Sequence, residues 1–426
     1  MENNNTSLVP QQPLFPILEK QDKQLAIVEK LLAESMQSKI LNIALNHPKF
    51  FILMISEFYP LTIVLIEKYK DILHWGFWGI SKNTTLPWSK ELIERFKDKL
   101  DWKRLSINEA LPWSPELIKR YTDKWEWRDF LSGNPALPWS SELIERYKDK
   151  WSWWELANNP ALPWSIELIE KCNDKWWWET LSHNRGLPWS IELIDKFKDK
   201  WEWNNNGLSK NPALPWSIKF IEYYIDKWNW GCLSVNPALP WSKELIEKYK
   251  NKWSFYSFSG NPALPWSIEF IDKYIDEWAW GIGGLHTNPA LPWSMEFIEK
   301  YIDKWWWRPE YRFGLSVNTA LPWSIKLIEK FKDKWDWGTN GLSDNPALPW
   351  SIELIEKYKD KWDWSVLSKN PALPWSPELI ERYTDEWYWD YSGFSSNKSV
   401  YQKVFRPYLT DSFIDEVMNI IKDKLK

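Results

Sequence analysis

Residue types able to make or break bonds are few in this chain and stand apart. The four histidines, His47, His74, His183 and His286, could serve proton transfer or metal ligation, yet each sits where parallel stretches of the chain carry another residue. The two cysteines, Cys172 and Cys232, have no metal-ligand spacing. They read as small buried hydrophobes, and free thiols fit a reducing, cytoplasmic setting. No Gly-x-Ser-x-Gly, phosphate loop, His-Glu-x-x-His or Cys-x-x-Cys occurs. Carboxylates recur at one spacing a dozen times over, which describes a solvated charged face rather than an acid/base pair. The chain reads as a non-enzyme with no cofactor and no metal site.

Non-covalent recognition is the chemistry that remains. Trp307, Arg308, Tyr311, Arg312 and Phe313 gather in one short stretch the aromatic and arginine side chains enriched at interface hot spots. This stretch is the candidate partner-binding site, and the elements that would hold it come from a repeat.

Leu-Pro-Trp-Ser occurs twelve times, beginning at Leu86, Leu111, Leu137, Leu162, Leu187, Leu214, Leu239, Leu264, Leu291, Leu321, Leu348 and Leu373. The unit is about 25 residues long, and a degenerate copy from Thr62 to Trp75 precedes the first. The serine is expected to cap a helix, and proline follows it in Ser114-Pro115 and Ser376-Pro377, the first helical position where proline is tolerated. Leu354, Ile355, Tyr358 and Trp362 form a 3.6-period apolar stripe, so an amphipathic helix is expected from Ser351 through Trp362. Glu353 and Lys357 on its outer face are placed for an ion pair four residues apart.

After Trp-x-Trp comes a gap of variable length, then Leu-Ser-x-Asn and usually Pro-Ala. In short copies Asp101 reads as the cap of a second helix. In glycine-bearing copies such as Gly281 to Gly284 only a turn or a 3₁₀ piece is expected. The aspartate column of Asp98, Asp149 and Asp360 is expected to cap that second segment.

The fold class is therefore all-α, an elongated α-solenoid of short helix-turn-helix repeats. A leucine-rich-repeat horseshoe is the rival, since unit length and Leu-x-x-Asn echo its signature. Residues 1–20 read as a disordered tail, 21–58 as a helical cap, 59–397 as the repeats and 398–426 as a second cap at the opposite end. The apolar stretch from Phe50 to Ile66 is interrupted by Glu57 and Pro60 and is too short to span a membrane.

Most of the 39 tryptophans recur in the same three columns, as stacked units demand of a core. The second Trp of Trp-x-Trp, replaced by Phe255 in one copy, is the least bound to that role. With invariant columns building the scaffold, function is expected in the variable gap. The net charge of −4 gives no basic footprint, which argues against nucleic acid. A scaffold for protein partners fits best. The alternative is modular recognition of a polymer, single-stranded nucleic acid or glycan, along an aromatic-rich face.

Over residues 59–397 the chain resembles uncharacterised tandem Trp-rich repeat proteins carrying Leu-Pro-Trp-Ser and Trp-Asp-Trp. That resemblance carries over no functional residues.

Overall fold

Each serine of Leu-Pro-Trp-Ser caps a short helix. In the computed structural model, which describes residues 15–204, 207–281, 283–307, 314–390 and 393–424 (side chains from 29 onward), Ser114 Oγ accepts from the Leu117 amide at 3.2 Å and Ser351 Oγ from the Leu354 amide at 3.2 Å. Pro115 and Pro377 stand at the start of their helices, Pro115–Arg120 and Pro377–Arg382. The glutamate two places after the serine, such as Glu353, has its carboxyl held below its usual range by the helix-start amide and the serine.

These first helices are shorter than the apolar stripe suggests. The helix Ile352–Lys357 stops at Tyr358, where φ is −121° and ψ 26°. Trp362 lies beyond it, and its indole N–H donates to the Ile355 carbonyl at 3.1 Å. A longer helix would give that carbonyl to its own amide; here tryptophan takes it, so period and helix length part company. The second Trp of the pair works likewise: Trp364 donates to the Lys359 carbonyl at 3.3 Å. The third column, as in Trp350, donates to the Asn345 carbonyl at 3.0 Å. The three tryptophans of a unit thus bury ring area and satisfy turn and helix-end carbonyls together.

The second segment is a true short helix where the gap is short, as in Trp102–Ser106 and Trp153–Asn158. It shrinks to a 3₁₀ turn in the longer copies where glycine directly precedes the leucine, as in Leu208–Lys210 and Leu285–Thr287, whereas the short copy with Gly231 keeps its helix, Trp230–Val235. Asp101 caps it as expected, accepting from Lys103 and Arg104 amides at 3.0 and 3.3 Å. The Asp98 column does not: Asp98 pairs at 3.7 Å with Lys124 of the next unit. The cap belongs to the middle residue of Trp-x-Trp because only that residue directly precedes the orphan amides.

Units are joined by a buried asparagine ladder. Asn236 Nδ2 donates to the Ser209 carbonyl of the preceding unit at 3.1 Å, while its Oδ1 accepts from the Ala238 amide at 3.0 Å. The serine of Leu-Ser completes the junction: Ser106 Oγ donates to the Trp102 carbonyl at 2.7 Å and accepts from the Glu126 amide of the next unit at 3.0 Å. Among the described residues there is no strand, so the chain is all-helical and the horseshoe is set aside.

Neighbouring second segments pack backbone to backbone, whereas successive first helices form a closely packed pair only where Asp411–Lys424 meets Ile63–Tyr69. First helices meet instead through long side chains, as in Arg120 with Glu94 at 2.9 Å. Second segments closer than first helices make a wedge-shaped junction, and repetition of such a wedge curves a series.

The curvature brings the two ends together. The two terminal segments, expected to cap opposite ends of an elongated body, pack on each other. The N-terminal helix Phe15–Asn46 touches Pro377–Arg382 and the C-terminal helix Asp411–Lys424. The bridging helix Pro48–Phe58 packs on both the last 3₁₀ turn, Phe394–Ser396, and the first, Ile80–Lys82. The series of units is closed.

The closing unit is composite. Thr410 Oγ accepts from the Phe413 amide at 3.2 Å, so Thr410-x-x-Phe413-Ile414-Asp415 copies the Ser-x-x-Leu-Ile-Glu helix start. Asp415 accepts from Tyr69 Oη at 2.7 Å and from Lys68 Nζ at 2.6 Å. Glu222 plays that part for Tyr249 and Lys248 at an ordinary junction. Ser56 of the bridging helix supplies the serine, accepting from the His74 amide at 3.0 Å, and Asn83 Nδ2 reaches the Ser56 carbonyl at 3.1 Å. The C-terminus contributes the first helix of this unit and the N-terminus the second.

Candidate interaction surface

The variable stretch between the first Trp of Trp-x-Trp and Leu-Ser runs between first and second segments among the described residues. Aromatic side chains surface there. Phe77, Trp154, Trp177, Tyr256, Trp306 and Tyr388 are 39–61 % exposed, and all six fall in that stretch. Among the described residues a single other aromatic, Tyr223 on a first helix, is comparably exposed. The repeated tryptophans of the same segment are turned inward: Trp335 is fully buried, and Trp125, Trp151 and Trp305 nearly so.

Trp306 shows how such a ring is held. It lies between buried Trp305 and half-buried Trp307, and its indole rests over Gly281 of the preceding unit, where a Cβ would come within 2.8 Å. Gly281 therefore leaves room for the ring by lacking a side chain. Trp177 and Tyr388 occupy the same middle position of Trp-x-Trp, and Trp154 and Tyr256 are the second residues of the helices Trp153–Asn158 and Phe255–Phe258.

Of the five residues singled out from the sequence, Trp307 is half-buried in the aromatic stack. It packs on Phe331 and Trp335 of the next unit with centroids at 5.1 and 4.8 Å, and its N–H donates to the Ile302 carbonyl at 3.1 Å. Arg308, Tyr311, Arg312 and Phe313 lie outside the described residues. Sequence reasoning missed the exposed Trp154, Trp177 and Trp306. Their signal was present: each is a tryptophan outside the three recurring columns.

Ion pairs link the first helices of successive units. Lys248 pairs with Glu222 at 2.6 Å, Lys196 with Glu170 at 2.6 Å and Lys300 with Asp272 at 2.6 Å, each across a junction. Lys357 likewise turns to Glu329 of the unit before, not to Glu353 of its own helix. A hydrogen bond from Lys97, then those from Tyr121 and Arg120, hold the Glu94 carboxyl down to about 2. The lysine preceding the first Trp covers the second Trp of the previous unit, as Lys361 does over Trp337 at 5.2 Å and Lys200 over Trp178 at 5.2 Å. These lysines make internal contacts with carboxylates and rings.

Cys172 and Cys232 are buried and form no disulfide, and burial pushes both thiols up. His47 stacks on Trp389 at 3.5 Å, and His286 is buried near Trp306. Among the described residues no cluster of His, Cys, Asp and Glu could hold a metal, and no helix is long and apolar enough to cross a membrane. No family model, curated protein or solved structure matches the chain.

Proposed function

We propose that this protein is a non-catalytic scaffold, a tandem Trp-rich repeat solenoid closed into a ring, that binds a protein partner along the segments carrying its exposed aromatic residues. The observation that carries this reading is the position of those rings. They surface in the one segment where the units differ, whereas a core requirement would have placed them in the repeated columns. Large aromatics in water lose favourable burial and are enriched where partners supply it. Trp306 is followed in the sequence by the arginine- and aromatic-rich stretch from Arg308 to Phe313, so this unit is the one proposed to bind most strongly. The net charge of −4 supports a protein ligand over single-stranded nucleic acid. Two buried cysteines outside any disulfide suit a reducing compartment such as the cytoplasm.

The test compares the intact protein with the triple variant Trp154→Ser, Trp177→Ser, Trp306→Ser in affinity capture, glycan arrays and oligonucleotide binding at low salt. The expected result is a protein partner retained by the first and weakened at least tenfold by the second, about 1.4 kcal/mol or more. An unchanged partner set would overturn the reading. Binding of a glycan or oligonucleotide lost in the variant would replace protein with that polymer.

A further inference from the structure

From Trp102 to Trp364 the second Trp of a unit meets the first Trp of the next edge to face, as in Trp364 with Trp387 at 4.9 Å and Trp102 with Trp125 at 4.9 Å. At the seam this run of rings breaks. Trp389 is met by His47, stacked at 3.5 Å, and by Phe50, edge-on at 5.2 Å. The next first-Trp position is Leu73, and no tryptophan precedes it, because the bridging helix offers Ile52 and Leu53 instead. Leucine alone does not cause the break. Leu100 holds the same position one unit on, and there Trp75 stands in the preceding second-Trp place and packs on Phe96 at 5.1 Å.

Where the ring pair is missing there is a cavity of about 700 Å³. Its walls are Phe50, Ile52 and Leu53 from the bridging helix, Ile72 and Leu73 from the degenerate copy, and Trp389 from the last full unit. His74, Lys49 and Asp390 add polar groups to the lining. That size and that mixture, apolar walls with a few polar groups, match small-molecule sites of about 300–1,000 Å³. The walls come from three segments that meet only when the ends of the chain meet.

We infer that the seam cavity is a binding site for a small planar aromatic molecule of the indole class, which occupies the place of the missing tryptophan pair. The aliphatic walls favour an apolar body and the Trp389–His47 side favours a flat one. A ligand there contacts both termini of the series, so it binds the closed form and stabilises it.

Indole itself is the probe, titrated into the full-length protein and followed by saturation-transfer NMR and by nuclear Overhauser contacts to isoleucine and leucine methyl groups. The expected result is saturable binding to one site per chain, with contacts to the methyls of Ile52, Leu53 and Ile72 and a rise in Tm. Leu53→Trp, which fills the cavity, and Leu73→Trp, which restores the repeated residue, are each expected to weaken indole at least tenfold. Circular dichroism checks that each variant is folded. Absence of saturable binding to the unaltered protein, contacts mapping to other methyls, or undiminished affinity in a folded variant would each overturn the inference. The wild-type contact map decides the matter even where a variant fails to fold.

Discussion

At the scale of residues, tryptophan has two jobs here, and exposure separates them. Trp335 is fully buried, and its N–H serves the Ile328 carbonyl at 3.2 Å. Trp335→Ala should cost about 3–5 kcal/mol in urea denaturation. Trp177, 58 % exposed, should change stability by no more than about 0.5 kcal/mol when replaced by Ala. Equal costs at both positions would refute the division. Tyrosine adds a pH signature. Burial, then a carboxylate of the neighbouring unit, pushes Tyr121 and Tyr383 up to about 12; burial and Asp415 do the same for Tyr69. An acid with a raised folded pKa gives stability that is complete below its unfolded value, about 10, and is lost as pH climbs toward 12. Tm should therefore fall between those values, with the native phenols ionising late in a spectrophotometric titration. Ordinary titration near pH 10 without prior unfolding would contradict these contacts.

At the scale of elements, much was legible in the sequence. The serine caps, the prolines at helix starts and the Asp101 cap all follow from local rules, and the structure shows each of them; the helix-to-3₁₀ change appears in the long glycine copies but not in the short one with Gly231. Helix length was not legible, because the apolar period continues into Trp362 while the backbone has already turned. The ion-pair direction was hidden too: an intrahelical partner and one in the next unit look alike in sequence, and only the unit spacing selects Glu329 for Lys357. The exposed aromatic surface was half legible. Variation in the gap pointed to it, but the single stretch from Trp307 to Phe313 was read where the structure displays rings in several units. The asparagine ladder gives the sharpest test of how units hold together. Asn236→Ala strips a donor from the Ser209 carbonyl and an acceptor from the Ala238 amide, both at a buried site. A loss of about 1–3 kcal/mol is expected, whereas a loss within experimental error would remove the ladder from the account.

At the scale of the whole molecule, closure is what local reasoning could not reach. It depends on a small rotation accumulated over many junctions, and no single unit encodes the sum. A trace was present all the same, since Thr62-x-x-Leu65-Ile66-Glu67 and Thr410-x-x-Phe413-Ile414-Asp415 are two degenerate versions of one helix start. A composite closing unit makes each end of the chain depend on the other. Removing residues 411–426 should expose Tyr69 and the buried face of the N-terminal helix, lower Tm and promote association between chains, read by light scattering. An unchanged monomer of equal stability would deny the C-terminal helix its place.

The most direct measurement is zero-length carbodiimide coupling, which joins only amines and carboxylates already in contact, read by mass spectrometry on mixed light and heavy protein to separate links within a chain from links between chains. Closure predicts Lys68–Asp415 and Lys39–Glu378 links within one chain, formed alongside the ordinary junction link Lys248–Glu222. An open stack of a dozen units, spaced about 8–10 Å, would hold those termini roughly 100 Å apart. The junction link without either terminal link would contradict the closed series.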